Sequence, residues 1–164
     1  MGDRSSDLSH LDDRGAARMV DTSDKPDTAR TATAEGFVRM APSTFDVVKG
    51  GPTKKGSVIE VARLAGIMGA KRTADLIPLC HPITLSGVTV DLEMQPPDRV
   101  RIIATVRTVG ATGVEMEALS AVSVAALTFY DMIKSIDREA RLEDIALLEK
   151  TGGKSGHFER SRQA

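Results

Sequence analysis

Two residues near the end of a predicted helix have the spacing and the chemistry of an acid–base pair. Asp131 and Lys134 stand three residues apart, so they share one face of a helix. A carboxylate beside an ammonium group can pass protons or hold a phosphate. Most pairs of this spacing are ordinary surface ion pairs. Because both residues border the predicted apolar stripe of the helix, we expect them to line a cleft.

A short segment between two prolines carries a thiol and an imidazole. Cys80 and His81 lie between Pro78 and Pro82, and proline fixes φ and removes a backbone donor, so the segment is extended or a turn. Stiff loops often carry functional groups, and a buried thiol beside a structural histidine is the alternative. Cys80 is the only cysteine, which excludes an intrachain disulfide and indicates a reducing compartment. No metal-ligand spacing is present.

Two carboxylates stand at the start of the same predicted helix. Thr112 and Glu115 fit a capping box, and carboxylates in a first turn suit the helix dipole. If the start is extended instead, Glu115 and Glu117 point the same way and can hold polar groups of a base or sugar. Both interpretations stay open at this point.

Basic residues stand at several points, and together they could form a phosphate pocket. They are Lys25, Arg30, Lys54, Lys55, Lys71, Arg72 and Lys154. Each alone is typical of a solvated surface. The glycine-rich turn around Lys154 is not a P-loop, because Leu148 occupies the position of the required glycine.

The distance between the two acidic clusters predicts an assembly. Glu117 and Asp131 are fourteen residues apart, which is roughly 21 Å along one helix. One small ligand cannot touch both from the same helix. If both clusters are functional, they come from two subunits, so we expect a homo-oligomer with its site at an interface.

The composition of the 164 residues is that of a globular domain. Hydrophobic residues make up 41% and aromatic residues 3%, while 22 basic residues nearly balance 23 acidic ones. This balance excludes wholesale disorder and offers neither a basic surface nor stacking side chains for nucleic acid. The N-terminal residues resemble no secretory signal and no apolar run is long enough to span a bilayer, so we expect a cytoplasmic protein with no membrane partner.

Hydrophobic periodicity predicts an α+β fold with helices on one face of a mainly antiparallel sheet. We expect mobile tails at 1–17 and 157–164 around a single domain at 18–156. The predicted strands are 27–40, 87–95, 100–107 and 144–149, and the predicted helices are 42–49, 57–76 and 112–137. The expected apolar stripe of the second helix is Val58, Val61, Ala62, Ala65 and Met68. That of the third is Leu119, Val122, Ala125, Ala126, Phe129, Met132, Ile133 and Ile136.

The strings MVDTSDKPDTAR, AKRTADLIPLCHP, TGVEMEAL and LLEKTGGKSG occur in this order between residues 19 and 156. Through them the chain resembles the MoaC family, the cyclic pyranopterin monophosphate synthases of molybdenum-cofactor biosynthesis. The resemblance implies a ferredoxin-like fold and a hexamer built as a trimer of dimers. It also implies a lyase that converts a cyclised GTP derivative to cyclic pyranopterin monophosphate with release of pyrophosphate.

The resemblance assigns roles by position. The implied catalytic residues are Asp131, Lys134 and Lys55. The implied substrate contacts are Leu79, Cys80, His81, Glu115, Met116, Glu117, Lys71 and Arg72; Lys25, Arg30 and Lys154 are further phosphate candidates. Two positions depart from the family: Ala111 stands where a basic residue is usual, and Ser57 replaces an aspartate as helix cap.

The sequence assigns no cofactor, although Mg²⁺ could accompany the triphosphate. The alternative function is a non-catalytic module that binds a nucleotide or pterin. The pair Asp131 and Lys134 separates the two, because a binding module does not need a proton-transfer pair.

Overall fold

Five strands and four helices alternate along the chain in the computed structural model, which describes residues 10–12, 14–54 and 56–161. In chain order they are β1 (Thr28–Arg39), α1 (Pro42–Lys49), α2 (Val58–Lys71), α3 (Thr73–Leu76), β2 (Gly87–Gln95), β3 (Arg99–Gly110), α4 (Glu115–Ile133), β4 (Arg141–Thr151) and β5 (Phe158–Glu159). The predicted strands and the first helix are all present.

The strands form one antiparallel sheet in the order β2-β3-β1-β4-β5. A β-α-β-β-α-β chain with the order β2-β3-β1-β4 has the ferredoxin-like arrangement. The predicted α+β class is therefore confirmed.

Side-chain alternation gives the sheet one apolar face. Ala34 and Val38 of β1 and Ile102 of β3 are fully buried, while Glu35 and Arg101 project from the other face and form an ion pair at 2.7 Å. Helix α4 packs across β1, β3 and β4, and α2 packs on α4 and β2. Both long helices thus cover the apolar face.

Small residues let α2 and α4 run close together in opposite directions. A Cβ on Gly69 would lie 2.8 Å from the Val124 Cβ, and one on Gly66 would lie 2.9 Å from the Ala121 carbonyl oxygen. The end of α2 therefore lies beside the start of α4.

This packing gives the domain two ends, which we name after their residues. At the Glu117 end lie the starts of β1 and α4 and the ends of α2, β3 and β4, with Thr28 opposite Gly110. The opposite, Lys134 end carries the start of α2 and the end of α4. There Ala41 donates its backbone N–H to Asp137 Oδ2 at 2.8 Å.

Three expectations about the helices are wrong. The predicted helix 57–76 breaks at Arg72, where Thr73 donates its hydroxyl to the Ala70 carbonyl at 3.0 Å. Val61 and Met68 are 38% and 55% exposed, because α2 packs through its glycines and alanines instead. Ile136 is 58% exposed because α4 ends at Ile133.

The helix starts are also informative. Ser57 accepts a hydrogen bond from the Glu60 backbone N–H at 3.3 Å, as its capping-box pattern predicts. At α4, Val114 occupies the cap position and no side chain caps the helix, so the alternative capping box of Thr112 and Glu115 is not formed.

The chain near both termini carries some structure. Phe158 and Glu159, which we expected in a mobile tail, pair with β4, and Arg160 donates its backbone N–H to the Leu148 carbonyl at 2.7 Å. Before β1, Leu11 and Ala17 form an isolated bridge. The other domain boundaries stay predictions.

Helix α4 is the one described helix whose length and composition would allow it to cross a membrane. Contrary to the expectation from the sequence, its apolar run is long enough. It is nevertheless the central helix of the domain, with Ala118, Val122 and Phe129 fully buried.

Candidate functional site

A cavity of about 130 Å³ at the Glu117 end unites the two most distinctive segments of the sequence. Its lining contains the predicted contacts Leu79, Cys80, His81, Glu115, Met116 and Glu117, together with His10, Ile83, Thr112 and Gly113. One wall is the loop between two prolines, and the other is the first turn of α4.

The loop wall has no regular structure, as its prolines predict. The Cys80 backbone N–H donates to the Ile77 carbonyl at 3.1 Å, which closes a turn. Further along, Thr84 accepts a hydrogen bond from the Thr108 hydroxyl at 2.7 Å, which anchors the loop on β3. The thiol and the imidazole are thereby held against the helix start.

The helix wall depends on a close fit at Gly113. A Cβ on Gly113 would lie 2.0 Å from Glu115 Oε2, so the glycine leaves room for that carboxylate. Val114, 1% exposed, anchors the turn in the core. In a regular helix Glu115 and Glu117 diverge. Both still line the cavity, because the loop wraps the helix start.

Glu117 has the most perturbed carboxyl group of this site. It is 3% exposed, and burial raises its pKa to about 7, with a further contribution from the nearby charge of Glu115. Near neutral pH this carboxyl exists both with and without its proton. It can therefore give or take a proton during a reaction.

Cys80 is a thiol with a raised pKa. Burial raises the pKa first, and the charge of Glu117 raises it further. A raised pKa leaves little thiolate at neutral pH, and the thiolate is the nucleophile. Cys80 is thus suited to lining the cavity and to hydrogen bonding rather than to covalent catalysis.

His81 is oriented by a residue that the sequence did not single out. Its Nε2 lies 2.6 Å from the backbone carbonyl of Val20. Because a carbonyl only accepts, Nε2 carries the proton. Nδ1 makes no hydrogen bond to the described residues, so it remains for a ligand. No sequence pattern marks a backbone carbonyl sixty-one residues away.

The predicted acid–base pair lies at the other end of α4. Lys134 Nζ is 2.6 Å from Asp131 Oδ1, and the side chains are 52% and 61% exposed. The hydrogen bond to Asp131 raises the pKa of Lys134. The pair does not line the cavity at the Glu117 end. The expectation that the pair lines a cleft stays a prediction.

Lys55 lies outside the described residues. Lys54 before it is exposed, and Gly56 after it leads into α2 at Val58, at the Lys134 end.

The remaining basic candidates are at the Glu117 end. Lys71 closes α2, and Arg72 beside it pairs with Asp75 at 3.3 Å. Lys25 is exposed in the turn before β1, and Lys154 is exposed in the turn between β4 and β5. Arg30 is half-buried and donates to two backbone carbonyls. These five basic candidates therefore lie at the same end of the domain as the cavity, whereas Asp131 and Lys134 lie at the other end.

Among the described residues, no group of three or more His, Cys, Asp or Glu side chains could hold a metal ion. A larger concavity of about 1100 Å³ lies on the open face of the sheet, beside Glu35 and Arg101. None of the predicted site residues lines it.

The fold and the cavity define an α+β protein of ferredoxin-like topology with a small cavity lined by two carboxylates, a thiol and an imidazole. The chain belongs to the MoaC family, whose sequence model matches residues 19–153.

Named relatives match over nearly the whole chain. The chain is 61% identical to "Cyclic pyranopterin monophosphate synthase" of Dinoroseobacter shibae, over 94% of this chain and 98% of the relative. It is 59% identical to the protein of the same name in Parvibaculum lavamentivorans, over 92% and 95%. It is 58% identical to "Cyclic pyranopterin monophosphate synthase 1" of Mycobacterium bovis, over 94% and 91%.

Proposed function

We propose that this protein converts 3′,8-cyclo-7,8-dihydroguanosine 5′-triphosphate to cyclic pyranopterin monophosphate with release of pyrophosphate. This is a lyase reaction in the biosynthesis of the molybdenum cofactor. Membership of the MoaC family supports the proposal. The observation that carries it is the cavity in which the loop of Cys80 and His81 meets the buried carboxyl of Glu117.

The residues at the Glu117 end suit recognition of such a substrate. A triphosphate is dense in negative charge, and Lys71, Arg72 and Lys154 are exposed cations at this end. The purine and sugar carry polar groups that Glu115, Glu117 and His81 can hold. Because aromatic residues are 3% of the chain, we expect polar contacts rather than stacking.

The chemistry needs positioning, charge stabilisation and proton transfer. The cyclic phosphate closes when a sugar hydroxyl oxygen attacks the α-phosphorus. The bond between that phosphorus and the bridging oxygen breaks, and pyrophosphate leaves with the electron pair. A base takes the hydroxyl proton, and the ring rearrangement needs further transfers. We assign acid–base roles to Asp131 and Lys134, and we propose Lys55 as a third catalytic residue.

The site is shared between two copies of the chain. The cavity of about 130 Å³ is small beside the roughly 300–1,000 Å³ of ordinary ligand pockets. Asp131, at the Lys134 end, lies roughly 21 Å further along α4. We therefore infer that the Glu117 end of one copy meets the Lys134 end of another, in a hexamer built from three dimers. A monodisperse monomer with full activity would contradict this arrangement.

Two further features complete the proposal. Mg²⁺ can accompany the triphosphate as a counter-ion of the substrate. The protein works in the cytoplasm, where its single cysteine stays reduced.

The direct test is to incubate the purified protein with the cyclised GTP intermediate and to monitor pyrophosphate and the pterin product. We expect both to form at many turnovers per chain. Stoichiometric binding without either product would favour the alternative, a non-catalytic nucleotide- or pterin-binding module. The variant Lys134→Ala is the internal control, because it should bind but not turn over.

A further inference from the structure

The guanidinium of Arg30 connects the start of β1 to the loop that forms the cavity. Its Nε donates to the Gly110 carbonyl at 2.8 Å, and its Nη2 donates to the Ala111 carbonyl at 3.1 Å. These carbonyls belong to residues 110–113, which join β3 to α4. Thr112 and Gly113 of this loop line the cavity directly before Glu115.

The third nitrogen of the guanidinium lies against a second turn. A Cβ on Gly153 would lie 2.0 Å from Arg30 Nη1 and 2.9 Å from its Cζ. The neighbouring Gly152 would place a Cβ 2.2 Å from the Ala29 carbonyl oxygen. Both glycines have positive φ, +89° at Gly152 and +73° at Gly153. The turn that carries Lys154 is thus seated on Arg30 and the backbone before it.

We infer that Arg30 is a positioning residue, which fixes the 110–113 loop and the Gly152–Gly153 turn in one arrangement. Two of its three nitrogens are engaged with loop carbonyls, and the third faces a backbone that only glycine can bring so close. Its effect on the substrate passes through Thr112, Gly113 and Lys154. The kinetic measurements that test this inference rest on the proposed function, whereas the hydrogen-exchange measurements do not.

Arginine is needed for this role because of its shape. A guanidinium is a planar fork that reaches two acceptors at fixed angles, whereas an ammonium group is a point charge on a flexible stem. Arg30→Lys keeps the positive charge and loses the bridge between the two carbonyls. If Arg30 only supplied positive charge to a bound phosphate, lysine could largely replace it. If Arg30 bridges two carbonyls, lysine cannot.

The first experiment measures Arg30→Lys by steady-state kinetics and by amide hydrogen exchange. We expect kcat to fall by roughly tenfold to hundredfold, because small displacements of reacting groups are costly. We expect exchange at Thr112 and Gly113 to speed up by roughly tenfold, the equivalent of one lost hydrogen bond. Product inhibition by inorganic pyrophosphate should change little. Arg39→Lys is the matched control, because Arg39 ends the same strand and pairs with the carboxylates of Asp98 and Glu143, at the opposite end from the cavity.

The second experiment tests the contact with the turn. Gly153→Ala places a methyl group against Arg30, whereas Gly156→Ala has a similar positive φ of +66° and nothing within 4 Å. We expect exchange at 110–113 to increase in Gly153→Ala and to stay unchanged in Gly156→Ala. The effects of Gly153→Ala and Arg30→Lys on exchange should be less than additive in the double variant.

Two results would overturn the inference. One is a rise in KM and in the pyrophosphate inhibition constant of Arg30→Lys, with kcat and loop exchange unchanged, which would make Arg30 a direct phosphate ligand. The other is equal loop exchange in wild type, Arg30→Lys and Gly153→Ala. Exchange is measured without substrate, so a wild-type protein that turns nothing over would contradict the proposed function and leave this test intact.

Discussion

Replacing Glu117 by glutamine should stabilise the protein at pH 8 and much less at pH 5. The wild-type carboxyl ionises near pH 7 in the folded protein, against an ordinary value of 4.5. Below pH 4.5 both the folded and the unfolded chain hold the proton. As the pH rises from 4.5 to 7 the unfolded chain releases its proton first, so the free energy of unfolding falls. Above about pH 7 both states have released the proton, and the free energy of unfolding falls no further.

The size of the effect follows from the two pKa values. The gap between 4.5 and about 7 corresponds to roughly 3 kcal/mol at pH 8 and less than about 1 kcal/mol at pH 5. Glu117 is 3% exposed, so solvent screening reduces this little. Glutamine has nearly the same shape and no charge at either pH. Any packing cost of the substitution is the same at both pH values and cancels in the difference.

The assay is urea unfolding of wild type and Glu117→Gln at pH 5 and pH 8, at one protein concentration because assembly adds to apparent stability. We expect the variant to gain roughly 2 kcal/mol more at pH 8 than at pH 5. Glu139→Gln is the matched control, since it makes the same chemical change on an exposed residue. Equal effects of Glu117→Gln at the two pH values would refute the reasoning that burial keeps this carboxyl protonated.

Three further predictions follow from particular contacts. Lys134→Ala should abolish turnover while the melting temperature stays the same within error, because its ion pair is exposed; unchanged turnover would remove Lys134 from the chemistry. Gly69→Ala should lower the free energy of unfolding by about 1–3 kcal/mol, because the new methyl group meets Val124, despite a helix-propensity gain of about 1 kcal/mol; a higher melting temperature would contradict this packing. In ¹⁵N NMR of histidine-labelled protein, neutral His81 should carry its proton on Nε2; a proton on Nδ1 alone would exclude the hydrogen bond to Val20.

The strands were predictable because their faces differ. Val88, Val90, Leu92 and Met94 alternate with polar residues, and the observed β2 has the predicted bounds Gly87–Gln95. The loop between two prolines was predictable for a similarly local reason. These features depend on chain stiffness and periodicity, which the sequence carries directly.

The helix faces were less predictable, because packing decided them. Gly66 and Gly69 bring α2 against α4, so the larger Val61 and Met68 face outward, although a periodicity count places them inside. A count of apolar residues along the helix ignores glycine, so it does not place Gly66 and Gly69 on the buried face. Only the contact with α4 explains their burial.

Some features of the candidate site could likewise be predicted from the sequence, and others could not. The resemblance to the family selected the residues that line the cavity, but no pattern predicted the burial of Glu117, the bond from His81 to Val20, or the bridging role of Arg30. Each depends on a partner distant in the sequence. The expected separation of Glu117 from Asp131 needed only the helical rise, and α4 spans both residues without a break.

The central claim, a shared active site, is tested most directly by mixing two inactive variants. Glu117→Ala removes the function of one end and Lys134→Ala that of the other. Differently tagged copies are co-expressed, and the mixed assemblies are purified through both tags and assayed for pyrophosphate release. A dimer of the two variants holds one intact site of its two, and random assembly makes half of the dimers mixed, so activity should return to about a quarter of that of wild type. Mixed assemblies as inactive as either variant alone would contradict the claim.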